Sequence, residues 1–398
     1  MRNACLLFLF AVGVVHGQTW TQLPDFPGSA RDDAASFTIG DKIYVGTGMD
    51  AGFQLTNDWW SFDKQTETWS AIASFPTTAR QYCTGFSIVD TGYVFGGVDA
   101  NGALDHLWAY HPETDTWEQK ASIPAAARYA SVAVTGFYWN AIVATGMLAS
   151  GSPTNEAWKY QAQTDTWEAL APVPGPPRHR AACFLDGAGM VIAGGADSTF
   201  APLGDVWSYP IWFETGEWYA QTPLPYPRFA ADGSWGTARM LIGGASGPDA
   251  TDVHADVLRH DFSDWSALPD FPAGGRRGGI AAGAEAGWNS TFYYGTGSDN
   301  IQRYRDWWKL EFPVGIPTTE VPEFTIAPVP ADAALRVAST GADWTIWQVW
   351  AIDSRLVSQG PLVGGSVTIP TAPLPAGAFM LRLVGIHGSA AKRFTIAH

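Results

Sequence analysis

The sequence predicts an all-β protein, a six-bladed β-propeller followed by a small Ig-like β-sandwich. Three observations lead to this expectation: few charges, many turn-forming residues and a sixfold repeat. Only 15% of the 398 residues are charged, while 43 are glycine, 27 are proline and 20 are tryptophan. A typical soluble chain is about 25% charged. The composition is typical of short strands joined by many turns, and it excludes a helical bundle, a coiled coil and a disordered chain.

The first seventeen residues have the layout of a secretory signal peptide. Arg2 precedes a continuous apolar run over residues 4–15, and the segment ends at Gly17. The run is too short for a membrane-spanning helix. We therefore expect a leader over residues 1–17, a mature chain from Gln18 and a location outside the cytoplasm. A membrane anchor is the alternative, and no later segment is apolar enough to span a membrane.

Charge and cysteine usage limit the partners and the chemistry. The net charge of −15 repels phosphate backbones, so nucleic acid is not expected as a partner. Of the three cysteines, Cys5 lies in the leader, and we expect Cys83 and Cys183 to be packing residues rather than a disulfide. No metal-ligand spacing such as C-x-x-C occurs, and we expect neither a metal nor a cofactor.

The body of the chain repeats itself six times. Each copy carries a Trp, then a Pro, an Arg and an apolar run that ends in Gly. The aligned tryptophans are Trp20, Trp69, Trp117, Trp167, Trp218 and Trp265. A period near 50 residues is typical of a four-stranded propeller blade. Because one small sheet cannot bury both of its faces, six copies predict a ring of six blades over residues 18–312.

The phase of the repeat predicts how the ring closes. The chain enters the repeats with an outer-strand segment at Trp20, and it leaves them with a third-strand segment that contains Trp308. We therefore expect the N-terminal strand to pair with residues 304–312.

The repeat resembles the kelch family. The matching elements are a double glycine such as Gly96-Gly97, the aromatic pair Trp108 and Tyr110, and the Trp at its expected separation. The resemblance covers residues 20–312. It implies that the Arg-bearing segment is innermost in each blade and that the Trp-bearing strand is outermost.

A linker over residues 313–324 precedes a C-terminal segment, 325–398, with short alternating apolar runs. These runs predict a small β-sandwich. The segment resembles the C-terminal sorting domain of type IX secretion in Bacteroidota, through residues 328–331, 352–357 and 374–379 and the terminal Lys392-Arg393-Phe394. Val329, Ser354 and Phe379 depart from that pattern. The resemblance implies export across an outer membrane by the type IX machinery; an ordinary adhesion-type sandwich is the alternative.

The candidate ligand-binding residues lie at the expected mouth of the propeller. The six repeat arginines have two possible roles: tying loops to backbone carbonyls, or forming a guanidinium ring that binds carboxylates. The residues after them vary between copies, as ligand-contacting positions do. The candidates are Arg31, Asp32, Arg80, Tyr82, Arg128, Tyr129, Arg178, His179, Arg180, Arg228, Phe229, Arg276 and Arg277. Asp32 and Asp33 are adjacent, so strand alternation points them in opposite directions and excludes a catalytic pair.

Two weaker features leave alternatives open. Trp139, Trp235 and Trp288 stand at hairpin tips on the opposite face, where they either stack on sugar rings or pack the hairpins. Asp99, Asn101 and Asp105 suggest either a calcium loop or a turn capped by Asp99.

No hydrolase or nucleotide-binding motif occurs in the sequence. We therefore predict a secreted or cell-surface binding module, a monomer, for a glycan or extracellular polymer. A sugar-acid epimerase or mutarotase is the alternative, in preference to a hydrolase or a copper oxidase, and a protein–protein adaptor or adhesin is a third possibility. Catalytic residues are not assigned.

Overall fold

A computed structural model describes residues 19–397, except 137–138, 187–188, 212–215, 235–238, 248–251, 261–263, 287–288, 312–323, 330, 332, 340–343, 352–355, 363 and 386–387. The regular elements of these residues are β-strands. The chain divides into two compact units between Val314 and Gly315. The leader expected from the sequence and residues 313–323 of the expected linker lie outside the described residues, and Phe324, the last residue assigned to that linker, already belongs to a strand.

The described part of the first unit forms six antiparallel sheets, each with a path of four strands. From the inner strand outward, sheet 1 comprises Ala35–Ile39, Lys42–Gly46, Trp59–Asp63 and Thr68–Ile72; sheet 2 comprises Thr84–Ile88, Thr91–Phe95, Leu107–His111 and Thr116–Lys120. Sheet 3 comprises Val132–Thr135, Asn140–Ala144, Ala157–Gln161 and Thr166–Leu170; sheet 4 comprises Ala182–Asp186, Gly189–Ala193, Val206–Pro210 and Tyr219–Gln221. Sheet 5 comprises Phe229–Gly233, Met240–Ser246, Val257–His260 and Trp265–Leu268; sheet 6 comprises Ile280–Ala286, Asn289–Gly295, Trp307–Glu311 and Thr19–Leu23.

Short strands accompany these sheets. Asp252–Val253 pairs with the second strand of sheet 5. Two-residue ladders join Arg31–Asp32 to Met49–Asp50, Val98–Asp99 to Gly102–Ala103, and Arg128–Tyr129 to Met147–Leu148. The first and third ladders fasten a repeat arginine and its neighbour to the loop that follows Gly48 or Gly146 of the same repeat.

The burial of each strand follows its place in the sheet. The second strands are nearly continuous runs of buried residues, as in Lys42–Gly46, because both of their faces pack on neighbouring sheets. The outer strands bury little, as in Thr68–Ile72. The Arg-bearing segments lead into the inner strands, and the repeat tryptophans lie on the outer strands, except Trp218, which directly precedes one.

The six sheets are arranged in a closed ring. The inner strand of each sheet contacts the inner strand of the next, and the inner strand of sheet 6 contacts that of sheet 1. A separate apolar core fills each interface between sheets: Phe37 and Trp59 of sheet 1, for example, pack with Val94 and Tyr110 of sheet 2. The last interface holds Phe62 of sheet 1 together with residues of sheet 6.

The N-terminal strand completes sheet 6. Thr19–Leu23 pairs antiparallel with Trp307–Glu311 over five residues. Each repeat Trp also donates its indole N–H, over 2.8–3.1 Å, to a backbone carbonyl of the preceding repeat. Trp20 makes this bond to Pro269, and it thereby connects the first repeat to the last.

The C-terminal unit has two sheets around one apolar core. Its three-stranded sheet comprises Phe324–Ala327, Ala334–Ser339 and Ser366–Pro370; its four-stranded sheet comprises Leu356–Pro361, Trp344–Ala351, Gly377–Gly385 and Gly388–Ile396. Leu335 and Ile369 from the first sheet pack with Val349 and Leu381 from the second. The sequence did not predict the strands Phe324–Ala327 and Leu356–Pro361.

Among the described residues, no helix has the length and apolarity that crossing a bilayer requires.

Candidate functional site at the propeller centre

A closed ring of backbone hydrogen bonds lies at the centre of the first unit. One residue from each repeat donates its N–H to the carbonyl of the equivalent residue in the neighbouring repeat, over 2.8–3.0 Å. Around the circle these residues are Asp33, Gly278, Ala230, Arg180, Ala130 and Tyr82, and the bond from Tyr82 to Asp33 closes it. We call these six residues the annulus. Each lies two positions after a repeat arginine, at the start of an inner strand.

The annulus requires an unusual backbone conformation. All six residues have φ between 51° and 58°, in the left-handed region that L-residues seldom adopt. At Gly278 the choice of residue has a second reason, since an added Cβ would lie 2.5 Å from the Asp33 carboxylate oxygen Oδ1. Five repeats have a non-glycine residue here in spite of this conformation, and three of these residues carry a polar or charged side chain.

Two of those side chains are Tyr82 and Arg180, which meet across the annulus. Arg180 donates a 2.6 Å hydrogen bond from Nη2 to the Tyr82 hydroxyl, although the two residues are 98 positions apart. Its guanidinium carbon lies 4.7 Å from the Tyr82 ring centroid and 5.7 Å from that of Phe200. Tyr129 extends this aromatic surface, with its ring centroid 5.9 Å from that of Tyr82.

The third annulus side chain, Asp33, has an altered proton affinity. Burial, followed by the charge of Asp32, raises the pKa of Asp33 to about 6, and Arg180, Arg277 and Tyr82 oppose the rise. Below the annulus, burial raises the pKa of Asp232 well above its usual range. The Asp232 carboxyl accepts hydrogen bonds from the Gly279 N–H at 2.9 Å and the Tyr294 hydroxyl at 3.2 Å. The centre therefore holds carboxyl groups that keep their protons at higher pH than ordinary aspartates.

Asp32 points to a different set of partners. It is 1% exposed and binds Arg303 at 2.6 Å and Arg277 at 3.7 Å. The Arg277 Nε also donates to Asn300, and the Arg303 guanidinium lies 4.7 Å from the centroid of the Phe53 ring. The two adjacent aspartates thus do not form a pair, as strand alternation predicted.

The six repeat arginines are buried within the framework. Each is at most 1% exposed. Arg178, for example, forms a two-pronged ion pair with Asp205 at 2.8 and 2.6 Å and donates to the Gly194 carbonyl at 3.0 Å. Arg31, Arg128, Arg228 and Arg276 bind Asp58, Glu156, Asp256 and Asp306 in turn. Arg80 bonds to the threonines at 77 and 78 instead. This placement supports the first of their two possible roles, that of tying loops to the blade.

Two further candidates are also buried. His179 and Phe229 are each 1% exposed. Burial, with the nearby Arg180, lowers the pKa of His179 to about 4, and its ring packs edge-on against Phe200. Neither side chain offers a surface to a ligand. We call the cluster formed by the side chains of Tyr82, Tyr129, Arg180, Arg277, Arg303, Phe53 and Phe200 the mouth.

Three mouth residues were missed by the sequence analysis. Arg303, Phe53 and Phe200 lie in loops between the glycine that ends a second strand and the third strand, where nothing repeats regularly. One signal was available: both phenylalanines stand three residues after an aspartate that caps a turn, Asp50 or Asp197. This turn gives both phenylalanines a positive φ and leaves Phe53 72% and Phe200 39% exposed.

The other sequence candidates have separate positions. Trp139 is 48% exposed, while Trp235 and Trp288 lie outside the described residues. The Asp99 carboxylate accepts bonds from the N–H groups of Asn101 and Gly102 and from the Thr78 hydroxyl, which agrees with a turn cap. Cys83 and Cys183 are free thiols.

The channel below the annulus is narrow. A cavity of about 110 Å³ is lined by inner-strand residues, among them Ser36, Gly85, Ala133, Cys183 and Gly233. Small-molecule sites usually measure roughly 300–1,000 Å³, so this cavity is too small for a ligand of that size. A second cavity, of about 260 Å³, lies between sheets 3 and 4 beside Asn140 and Tyr209.

The repeat and the ring of sheets agree with comparisons to known proteins. A family model, the KLHDC2/KLHL20/DRC7 kelch-repeats domain, matches residues 7–195. The chain contains kelch repeats. A solved structure titled "Structure of YjhT" superposes with a TM-score of 0.61 over 72% of this chain and 95% of that one. At 16% identity it shows that the kelch repeats share a fold with that protein and nothing about ligands. No curated protein sequence matches the chain.

Proposed function

We propose that the kelch propeller is a binding module whose mouth recognises a glycan carrying carboxylate groups. The observation that carries the proposal is the annulus, which brings Asp33, Tyr82 and Arg180 together from three separate repeats. Guanidinium groups match carboxylates in shape and charge. Aromatic faces, here Tyr82 and Tyr129 with the exposed Phe200, pack against the apolar faces of sugar rings.

The charge at the mouth favours an anionic ligand. Arg180, Arg277 and Arg303 are opposed there by two carboxylates, Asp32 and Asp33, and Asp33 gives up its proton only near neutral pH. This local excess of positive charge contrasts with the chain as a whole, whose net charge is −15. An acidic sugar unit would complete the charge balance at the mouth.

The test is binding of the full-length chain to acidic oligosaccharides, measured by isothermal titration calorimetry. Oligogalacturonates and sialylated oligosaccharides are compared with neutral oligosaccharides of equal length. The double variant Arg180→Ala/Arg277→Ala should bind acidic sugars at least about tenfold more weakly, since one charge-assisted hydrogen bond contributes about 1.5–3 kcal/mol. Tyr219→Ala is the matched control, because Tyr219 is 44% exposed on the outer strand of sheet 4. Unchanged affinity in a folded double variant would exclude the mouth as the site.

A second candidate function is an epimerase or mutarotase for the same acidic sugars. Asp33 favours it, because a pKa of about 6 suits proton transfer near neutral pH. The Tyr82 hydroxyl and the Arg180 guanidinium lie beside it and could hold a sugar carboxylate during that transfer. The test is the rate of anomer interconversion, followed by proton NMR, with and without the protein. Acceleration that is lost in Asp33→Asn supports turnover, while tight binding without acceleration leaves a binding module.

We also propose that the six sheets are the complete set of blades and that the protein acts outside the cell. The closed contacts between sheets 6 and 1 support the blade count. The apolar run over residues 4–15 supports a leader, and the type IX resemblance of the C-terminal unit supports surface export. Mass spectrometry of the secreted protein tests the location outside the cell. A mature chain from Gln18 supports the leader, and loss of residues beyond about 320 supports processing by a sorting system.

A further inference from the structure

Five of the six repeats hold their buried arginine with an acidic side chain of the same repeat. That acidic residue stands two positions before the third-strand Trp, or before Leu258 in the fifth repeat. The pairs are Arg31–Asp58, Arg128–Glu156, Arg178–Asp205, Arg228–Asp256 and Arg276–Asp306. In four of them the Trp indole N–H donates to the same carboxylate, from Trp60, Trp158, Trp207 and Trp308. The carboxylate is therefore held by two kinds of donor, a guanidinium and an indole.

The second repeat has both donors and a different residue between them. His106 occupies the acidic position, and its backbone lies as in the other repeats, with its carbonyl accepting the Gly96 N–H at 2.9 Å. Arg80 is 1% exposed, and its Nη1 makes only a 3.4 Å contact, with the Gly96 carbonyl. The Trp108 Nε1 and the His106 Nδ1 are buried and have no hydrogen-bond partner among the described residues.

The packing around this position matches the complete repeats. The Arg80 guanidinium lies 4.7 Å from the Phe75 ring centroid, and Phe75 contacts the Trp108 ring at 5.7 Å. Arg276, Phe271 and Trp308 are arranged in the same way in the sixth repeat, at 4.8 and 5.8 Å. Arg80 and Trp108 thus present the same donors as the other repeats.

The positive charge of Arg80 is surrounded mainly by neutral hydrogen-bond acceptors. Its Nη2 donates to the Thr77 hydroxyl at 3.1 Å and its Nε to the Thr78 carbonyl at 3.2 Å, and both acceptors are neutral. The Asp99 carboxylate accepts from the Thr78 hydroxyl, which lies 3.4 Å from Nη2. Burial lowers the pKa of the Arg80 guanidinium. A buried, unpaired charge is costly, and a counter-ion of the right size lowers that cost.

We propose that the second repeat binds a small monovalent anion, a short carboxylate or a halide, between the Arg80 guanidinium and the Trp108 indole N–H, where the other repeats place an acidic side chain. In the other repeats the carboxylate at this position reaches the surface, where it is between 16% and 47% exposed, so in the second repeat an anion would enter from that side. Formate is the nearest match to the carboxylate of an aspartate. Larger anions such as gluconate exceed the space of a side-chain carboxylate.

The test is thermal unfolding of the full-length chain in sodium formate, sodium acetate or sodium chloride, with sodium gluconate keeping the ionic strength constant. The midpoint should rise with anion concentration and reach a plateau, as binding to the native state alone requires. His106→Asp supplies the carboxylate within the chain. This variant should unfold at a higher temperature in gluconate and show no further dependence on the other anions. A response to formate and acetate identifies a carboxylate site, and a response to chloride identifies a halide site.

An equal response of the native chain and His106→Asp to every anion, or no response in either, would overturn the proposal. The converse variant Glu156→His gives the third repeat the composition of the second, and it should add anion dependence. If His106→Asp does not fold, bromide in crystals of the native protein decides by anomalous scattering. A bromide peak between Arg80 and Trp108 supports the site. If that position has no peak, a halide site is excluded. The formate dependence of the unfolding midpoint of Glu156→His then decides whether such a position binds carboxylates.

Discussion

Individual side chains at the annulus are controlled by neighbours that come from other repeats. The charge of Asp32, in the same repeat, raises the pKa of Asp33, and the charges of Arg180 and Arg277, from two other repeats, lower it. Burial is the largest cause of the rise in its pKa, because a carboxylate loses hydration when it leaves water. The result is a carboxyl group that changes charge near neutral pH within a cluster that holds cations.

This environment makes stability depend on Asp33 in a defined pH range. The folded pKa of about 6 exceeds the ordinary value of 3.8, so between these pH values the native state binds more protons than the unfolded state. The free energy of unfolding therefore falls as pH rises through this range. Asp33→Asn should remove this term and reduce the loss between about pH 4 and about pH 7 by on the order of 1–3 kcal/mol. Urea unfolding at several pH values measures the difference; parallel pH profiles for the two proteins would contradict it.

At the scale of elements, the inner strands approach each other closely enough to require glycine. Gly85 and Gly233 occupy the same position, five residues after Arg80 and Arg228. An added Cβ would lie 2.1 Å from the Ser36 carbonyl oxygen at Gly85, and 2.2 Å from that of Cys183 at Gly233. Both obstacles are backbone atoms of the neighbouring inner strand. The narrow channel is therefore a consequence of direct strand-to-strand packing.

Gly85→Ala should consequently destabilise the propeller. The added methyl group would push two inner strands apart and disturb the packed interface between sheets 1 and 2. Overpacking of this kind lowers the free energy of unfolding by about 1–3 kcal/mol. Gly52→Ala is the control, because it lies in an exposed loop with only the Asp50 carboxylate near, at 3.3 Å. Urea midpoints compare the two variants. Equal, small losses would mean that the inner strands separate at little cost.

At the scale of the whole molecule, stability depends on closing the ring. The same indole-to-carbonyl bond joins every pair of neighbouring repeats, including the first and the last. The final bond and the final strand both come from residues 19–23, which lie far in sequence from their partners. A ring without this strand would leave Trp307–Glu311 as an open sheet edge, which favours association between molecules.

Removal of residues 18–23 from the mature chain should therefore open the ring. The loss of buried Leu23, which is 7% exposed, by itself predicts a drop of about 2–5 kcal/mol in the free energy of unfolding. We expect a lower urea midpoint and larger species in size-exclusion chromatography than for the chain that starts at Gln18. A monomer of unchanged stability would show that closure does not depend on this strand.

Much of the fold was predictable because it repeats. The six Trp and Arg positions, the four strands of each copy and the pairing of the N-terminal strand all follow from spacing, and the all-β propeller with kelch repeats is confirmed. The residues of the candidate site were harder to predict from the repeat spacing. Tyr82, Arg180 and Arg277 were predicted at the mouth as varying positions, whereas Arg303, Phe53 and Phe200 lie in loops without a period.

The sequence by itself determined the repeating unit, since strand patterns and turn residues act over a few positions and recur every 50. Only the tertiary structure decided what each repeated residue contacts. The annulus joins residues about 50 positions apart, and the Arg180–Tyr82 bond spans 98. It also decided that the six repeat arginines are buried, because burial depends on how the blades pack together. The positions that vary between repeats predicted the mouth, and closure of the ring brings their side chains together in space.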